Sequence, residues 1–228
     1  MVQRAWCQSV RGFASLYYPW IQINDPSSLT GNEIISVPSS GHVAGLYATT
    51  DDTRGVHKAP ANVPIGAAVG LDVIVDSATH GQLNIAGINV HRVFPGEVRP
   101  TVYGARTTTP PEQTAWRYNC VRRLFIFVET SFRLGLRPYV FEPNDLSLWK
   151  KLNRTITDFL TRVWRSGALF GAKASDAFYV KIDEELNPPS VRALGQVIIE
   201  IGMAPVRPAE FVVVRIGIWD SGSSISET

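Results

Sequence analysis

The hydrophobic positions of this chain switch between two periods, and the switches mark out its elements. Val121, Leu124, Phe125, Val128 and Phe132 recur at helical spacing and predict a helix over 121–134, ended by Gly135. The strand-like "FIF" inside it is outweighed by that longer period. A second helix is predicted from Pro143, Asn144 and Asp145 to about Ser166. Its apolar face is Trp149, Leu152, Ile156, Phe159, Leu160, Val163 and Trp164. Its other side carries Lys150, Lys151, Arg154, Thr161, Arg162 and Arg165, with Asp158 the one acid. Val43, Leu46 and Tyr47 predict a third helix, over about 40–51, with a Ser cap. β-Branched and aromatic runs predict strands at "LYYPWIQI" (16–23), within "AAVGLDVIVD", at "PYVFE" (138–142), at "AFYVKID", within "LGQVIIEIGMAP" and, most strongly, at "EFVVVRIGIW" near the C-terminus. "NDPSSLTGNE" reads as a loop, residues 79–107 as short turns and strands, and "TTTPPEQT" (107–114) as a linker that places a subdomain seam. The mixture is that of an α/β (α+β) chain, a mixed sheet flanked by helices.

Composition narrows the function classes. A length of 228 residues gives one large domain or two small ones, with ample material for a core. Hydrophobic residues at 45% and charged residues at 18% exclude a disordered chain. The balance of 22 basic against 20 acidic residues argues against nucleic acid as the main partner. Cys7 and Cys120 are far apart, without metal or CxxC spacing, which points to reduced thiols in a cytosolic setting. No apolar run approaches the roughly 18 residues that span a bilayer. "FASLYYPWIQI" near the N-terminus resembles a signal peptide only superficially, because Pro19 breaks it and no small-residue cleavage site follows.

Complete catalytic motifs are missing. "GALFGAKAS" lacks P-loop spacing, and there is no HExxH, GxSxG or GxGxxG. Asp76, Ser77 and His80 lie together in "DSATH", but a triad is assembled by geometry and not by adjacency, so the local reading is a turn after a strand. Asp183, Glu184 and Glu185 form a lone acidic cluster, read as an ion-paired strand end rather than a Mg²⁺ site. His42, His57, His80 and His91 show no ligand spacing. The expectation is no catalysis, no metal and no cofactor. Two features carry more. The basic side of the second helix is either a solvated face or a dock for an acidic partner surface; DNA fits less well because no aromatic residues interleave. In the terminal strand, Val212, Val214, Ile216 and Ile218 fall on one side, and Phe211, Val213, Arg215, Gly217 and Trp219 on the other. Such a segment needs a sheet to pair with, its own or a neighbour's.

Eight segments in order, "LYYPWI", "VPSSGHVAGLYATTDDTRGVHKAPAN", "LNIAGINVHRVFPGEVRPTVYGART", "WRYNCVRRLFIFVETSF", "VFEPNDLSLWKKL", "FLTRVWRSGALFG", "AFYVKIDEELNPP" and "IGMAPVRPAEFVVVRI", resemble the tail sheath proteins of contractile phages and related contractile injection systems. The resemblance covers about residues 14–217. It implies a structural subunit that stacks as hexameric rings around an inner tube and contracts to drive that tube through a cell envelope. It implies as partners the chain itself in a six-fold helical homo-oligomer, the inner tail tube protein, and baseplate and tail terminator proteins. Direct nucleic-acid contact and membrane insertion are not implied. Location would be the virion tail or an injection particle, assembled in the bacterial host cytoplasm. Two subdomains follow: 1–108, a conserved sheath subdomain lacking the usual N-terminal region, and 109–228, the sheath C-terminal domain with a tube-facing helix and a C-terminal arm. Terminal strands would be exchanged between subunits, so residues 211–219 become the candidate intersubunit strand. Lys150, Lys151, Arg154, Arg162 and Arg165 become candidate tube contacts, matched to the family by position and charge. The loop "RGVHKAPAN" would be structural, with Pro60 fixing φ and pushing Ala59 into an extended conformation, Asp52 and Arg54 holding the helix end, and His57 packing as a flat ring. The competing reading is a soluble α/β hydrolase-like enzyme, whose sole support is the Asp-Ser-His cluster.

Overall fold

The computed structural model describes residues 9–29, 33–211, 213 and 214. Pro19 divides the first predicted strand into β1 (Leu16–Tyr18) and β2 (Ile21–Asn24), which enter different sheets. A proline has no N–H for a ladder, so the chain crosses between sheets where pairing is already interrupted. β2 lies antiparallel between β3 (Ile34–Val37) and β5 (Ala68–Leu71). β1 runs parallel to β6 (Ile88–Arg92), and β6 pairs antiparallel with β7 (Thr101–Tyr103), which in turn pairs with β4 (Val63–Pro64). The last sheet is the hairpin-like pair β8 (Phe178–Lys181) and β9 (Glu200–Met203).

Helices flank these sheets. α1 (Ser40–Arg54) outlasts its predicted end by three residues, and Ser39 at its N-cap makes no side-chain bond to it. α3 (Asn119–Gly135) and α4 (Leu146–Arg165) form where their periodicity predicts, and the Asp145 carboxylate accepts the Leu148 N–H at 2.8 Å as the α4 cap. Short α5 (Ala174–Ala177) and α6 (Pro189–Ala193) bracket β8. Two expectations fail. Residues 77–85 form α2 (Ser77–Ile85) rather than turns, because the Asp76 side chain caps the Thr79 N–H at 2.6 Å. "PYVFE" is not a strand: Arg137–Tyr139 is a 3₁₀ turn, and Phe141 takes φ 72° with its ring in solvent. The β-propensity of Val140 and Phe141 has no partner strand to act on.

The core is divided. Ile21, Val43, Ile65, Ala68 and Val102 pack between the first two sheets and α1. Leu124, Val128, Ile156, Leu160, Val163 and Phe178 pack α3, α4 and β8 together, and Leu148, Trp149 and Leu152 extend that layer. Each fully buried aliphatic side chain of this kind contributes about 1.5–3 kcal/mol. Between the halves, Ala59, Ala105, Cys120 and Val121 form a small shared cluster, so the loop after α1 packs as structure. His57 lies against Gly55, whose φ is 89° and where an added Cβ would meet the imidazole at 3.0 Å. The helix end is held by Asp51 rather than Asp52: its carboxylate takes both Nη groups of Arg123 from α3. Asn119 donates to the hydroxyls of Tyr17 and Tyr47, which are 2.7 Å apart, and so ties α3 to β1 and α1.

His91, on β6, is fully buried and stacked on Tyr17 with ring centroids 5.8 Å apart. Among the described residues neither ring nitrogen has a hydrogen-bond partner, and burial pushes its pKa down to about 4 from the ordinary 6.5. The unfolded chain therefore takes up this proton first as pH falls. The fold should lose up to ~3 kcal/mol between pH 6.5 and about 4 from this residue alone. Urea titrations across that range should show the loss, and His91→Phe should flatten it; an unchanged pH slope in that variant contradicts the account.

Candidate functional site

Asp76, Ser77 and His80 do not come together as a triad. Asp76 is occupied as the α2 cap, Ser77 Oγ accepts from Arg92 at 3.2 Å, and His80 Nδ1 lies 3.5 Å from the same guanidinium. The three side chains of the apparent triad thus turn to other partners. Lys181 is the partner of Glu185 at 2.5 Å and of Asp183 at 3.5 Å, and Asp183 also accepts the Leu186 N–H. Among the described residues no group of three or more His, Cys, Asp or Glu could hold a metal ion. None of the described helices is long and apolar enough to cross a membrane.

The surfaces left open are of another kind. On α4, Leu148, Trp149, Leu152, Ile156, Leu160 and Val163 are buried, which fixes the helix's rotation. Lys150, Lys151, Arg154, Arg162 and Arg165 are all exposed in consequence. At 100° per residue they fall within an arc of roughly 120°, over a length of about 22 Å. Arg154 reaches Asp158 at 3.9 Å, but both are well exposed, so the pair is weak. Among the described residues, none of Lys150, Lys151, Arg162 and Arg165 forms an ion pair. The structure therefore presents a row of five cations in which, among the described residues, Asp158 beside Arg154 is the one ion-pair partner.

The second surface is the β8–β9 sheet. These strands pair with each other over four positions, from Phe178↔Met203 to Lys181↔Glu200, and no third described strand joins them. From β9 the chain continues to Glu210, whose carboxylate is gripped by Arg106 at 2.7 and 2.8 Å, by Asn84 at 2.9 Å and by the Tyr118 hydroxyl at 2.9 Å. Burial alone would raise the Glu210 pKa, but these donors outweigh it and hold the carboxyl below its ordinary range. Beyond this grip, Phe211, Val213 and Val214 are 71%, 80% and 72% exposed and belong to no strand. Val212, Arg215, Ile216, Gly217, Ile218 and Trp219 lie outside the described residues.

Residues 112–218 match the family model of the phage tail sheath C-terminal domain. That stretch, just under half of the chain, resembles a tail sheath domain. The sheath likeness extends over most of the chain. It is 27% identical over 194 residues to the tail sheath protein of Vibrio phage KVP40, a match that takes in 84% of this chain. Among solved structures, it is 35% identical to a chain of the PVC sheath complex of an extracellular contractile injection system in the contracted state, over 92% of its length with a TM-score of 0.82. It is 36% identical, again over 92%, to a chain of the anti-feeding prophage baseplate, with a TM-score of 0.81. This chain spans 28% of the Vibrio phage relative and 57–59% of these solved chains.

Proposed function

We propose that this chain is the core of a sheath subunit that polymerises as six-fold stacked rings around an inner tube and contracts to drive the tube through a cell envelope. The observation that carries the reading is the 35–36% identity, at TM-scores of 0.81–0.82 over 92% of the chain, to chains of contractile particles. The particle forms in the host cytoplasm and ends in a phage tail or an injection particle. Its subunit performs no catalysis; its chemistry is reversible association. Terminal strands from neighbours add to the open edges of β8–β9 and keep the lattice connected while subunits move. The division at 108/109 separates the core around β2 and α1 from the core around α3 and α4, and baseplate and terminator proteins cap the stack.

In this reading α4 faces the tube. Each exposed pair contributes roughly 0–1 kcal/mol, so the interface acts by repetition, and it releases easily during contraction. Salt should weaken it, because the screening length falls from about 10 Å at 0.1 M to about 3 Å at 1 M. Replacing Lys150, Arg154 and Arg162 together by Glu is expected to abolish co-sedimentation with tube while leaving the fold intact by circular dichroism. Unchanged co-assembly in that triple variant sinks the assignment of α4.

A further inference from the structure

The segment between the two halves, with its Thr-Thr-Thr-Pro-Pro run, looks like a linker but is built as an anchor. Thr107, Thr108 and Thr109 are all buried. The Thr108 N–H donates to Ala14 O at 2.9 Å, and the Thr109 hydroxyl donates to Ser9 O at 3.3 Å. Gly12 (φ 70°) passes so close that an added Cβ would lie 2.8 Å from Trp116 O. Arg122 lies over the Trp116 ring at 3.4 Å and over the Phe13 ring at 4.6 Å. These contacts hold the root of the N-terminal segment. The same stretch of chain holds the root of the C-terminal segment, since Arg106 and Tyr118 grip Glu210. Arg106 and Glu210 are only 15% and 16% exposed, a setting in which a bidentate pair is well shielded from solvent.

The two roots meet on one side chain. Asn89, buried on β6, accepts the Arg106 N–H at 2.6 Å and donates to Arg106 O at 2.8 Å and to Leu16 O at 3.0 Å. It therefore joins β1, which follows the N-terminal root, to the residue whose guanidinium holds Glu210. Gly104 allows this approach: an added Cβ would fall 2.9 Å from the Asn89 Cα.

We infer that residues 104–118, pinned to β6 by Asn89, form a shared anchor for the roots of both terminal segments, so that loosening one root loosens the other. The consequence for assembly rests on the proposed sheath function: if the terminal segments bind neighbouring subunits, load passes from one neighbour to the next through this anchor rather than through either hydrophobic core. A hydrogen-bonded network with buried members suits that role, because removing one member leaves others unsatisfied.

Hydrogen–deuterium exchange on the full chain tests the coupling directly. Glu210→Ala should speed exchange about tenfold at 204–210 and also at 9–16, which corresponds to about 1.4 kcal/mol of lost protection at each root. Phe13→Ala should give the reciprocal pattern. Asn89→Asp keeps the acceptor for Arg106 but loses both donors, and in that background Glu210→Ala should no longer reach 9–16. Acceleration confined to the mutated root in both single variants overturns the inference even if the Asn89 variant does not fold. Because exchange is read on unassembled chain, failure of the sheath reading, seen as an absence of tubes by electron microscopy, is distinguishable from failure of the anchor.

Discussion

A chain truncated after Glu210 is expected to fold normally, to stay monomeric and to form no tubes at all. The described cores are complete before that residue, so stability should change little. Glu210 itself is retained, so Arg106 keeps its carboxylate partner. What is lost is the alternating run from Phe211 to Trp219, the strongest strand signal in the sequence, most of which lies outside the described residues. A backbone hydrogen bond contributes only about 1 kcal/mol net, but several per strand repeated around every ring decide whether the lattice holds. The effect on assembly is therefore all or none, whereas the effect on melting is within a few degrees. Analytical ultracentrifugation and negative-stain images of the truncated chain read both. Truncated protein that still builds tubes surviving contraction would mean that the strand serves its own subunit.

Leu160→Ala should destabilise the chain by about 2–5 kcal/mol, the usual range for a fully buried leucine that leaves a cavity. Leu160 is wholly buried within the layer that packs α3, α4 and β8. For a chain of this size that is a fall in Tm of roughly 4–20 °C. The exposed Leu134→Ala, on α3, provides the contrast and should cost under about 0.5 kcal/mol. Chemical denaturation of both variants checks the pair. A loss below about 1 kcal/mol for Leu160→Ala would show that this layer is not what holds α4 in place.

The two large helices were legible because their apolar positions repeat over several turns, and the Asp145 cap could be read from residue type alone. The basic face of α4 followed from the same periodicity. α2 was not legible. It buries no residue fully, carries Gly81 in its middle, and has only the Asp76–Thr79 cap as a sequence signal. Pro19 announced an interruption, but which sheets β1 and β2 join depends on strands about 14 to 72 residues away, at β3 and β6. The Thr107–Thr109 run carries a loop signature for a physical reason. Threonine and proline mark loops, yet here the hydroxyls and amides are satisfied by Ala14, Ser9, Trp116 and Arg117, which makes the loop a tie. The Arg106–Glu210 grip joins residues 104 apart, and nothing in either residue's local sequence marks the other.

The central claim is that this chain is a contractile sheath subunit, and electron microscopy of the purified protein tests it most directly. The account predicts helical tubes or rings with six-fold symmetry, whose subunits are joined by added strands at the edges of β8–β9. Dispersed particles without rotational symmetry, across the whole range of concentration and salt, would contradict it.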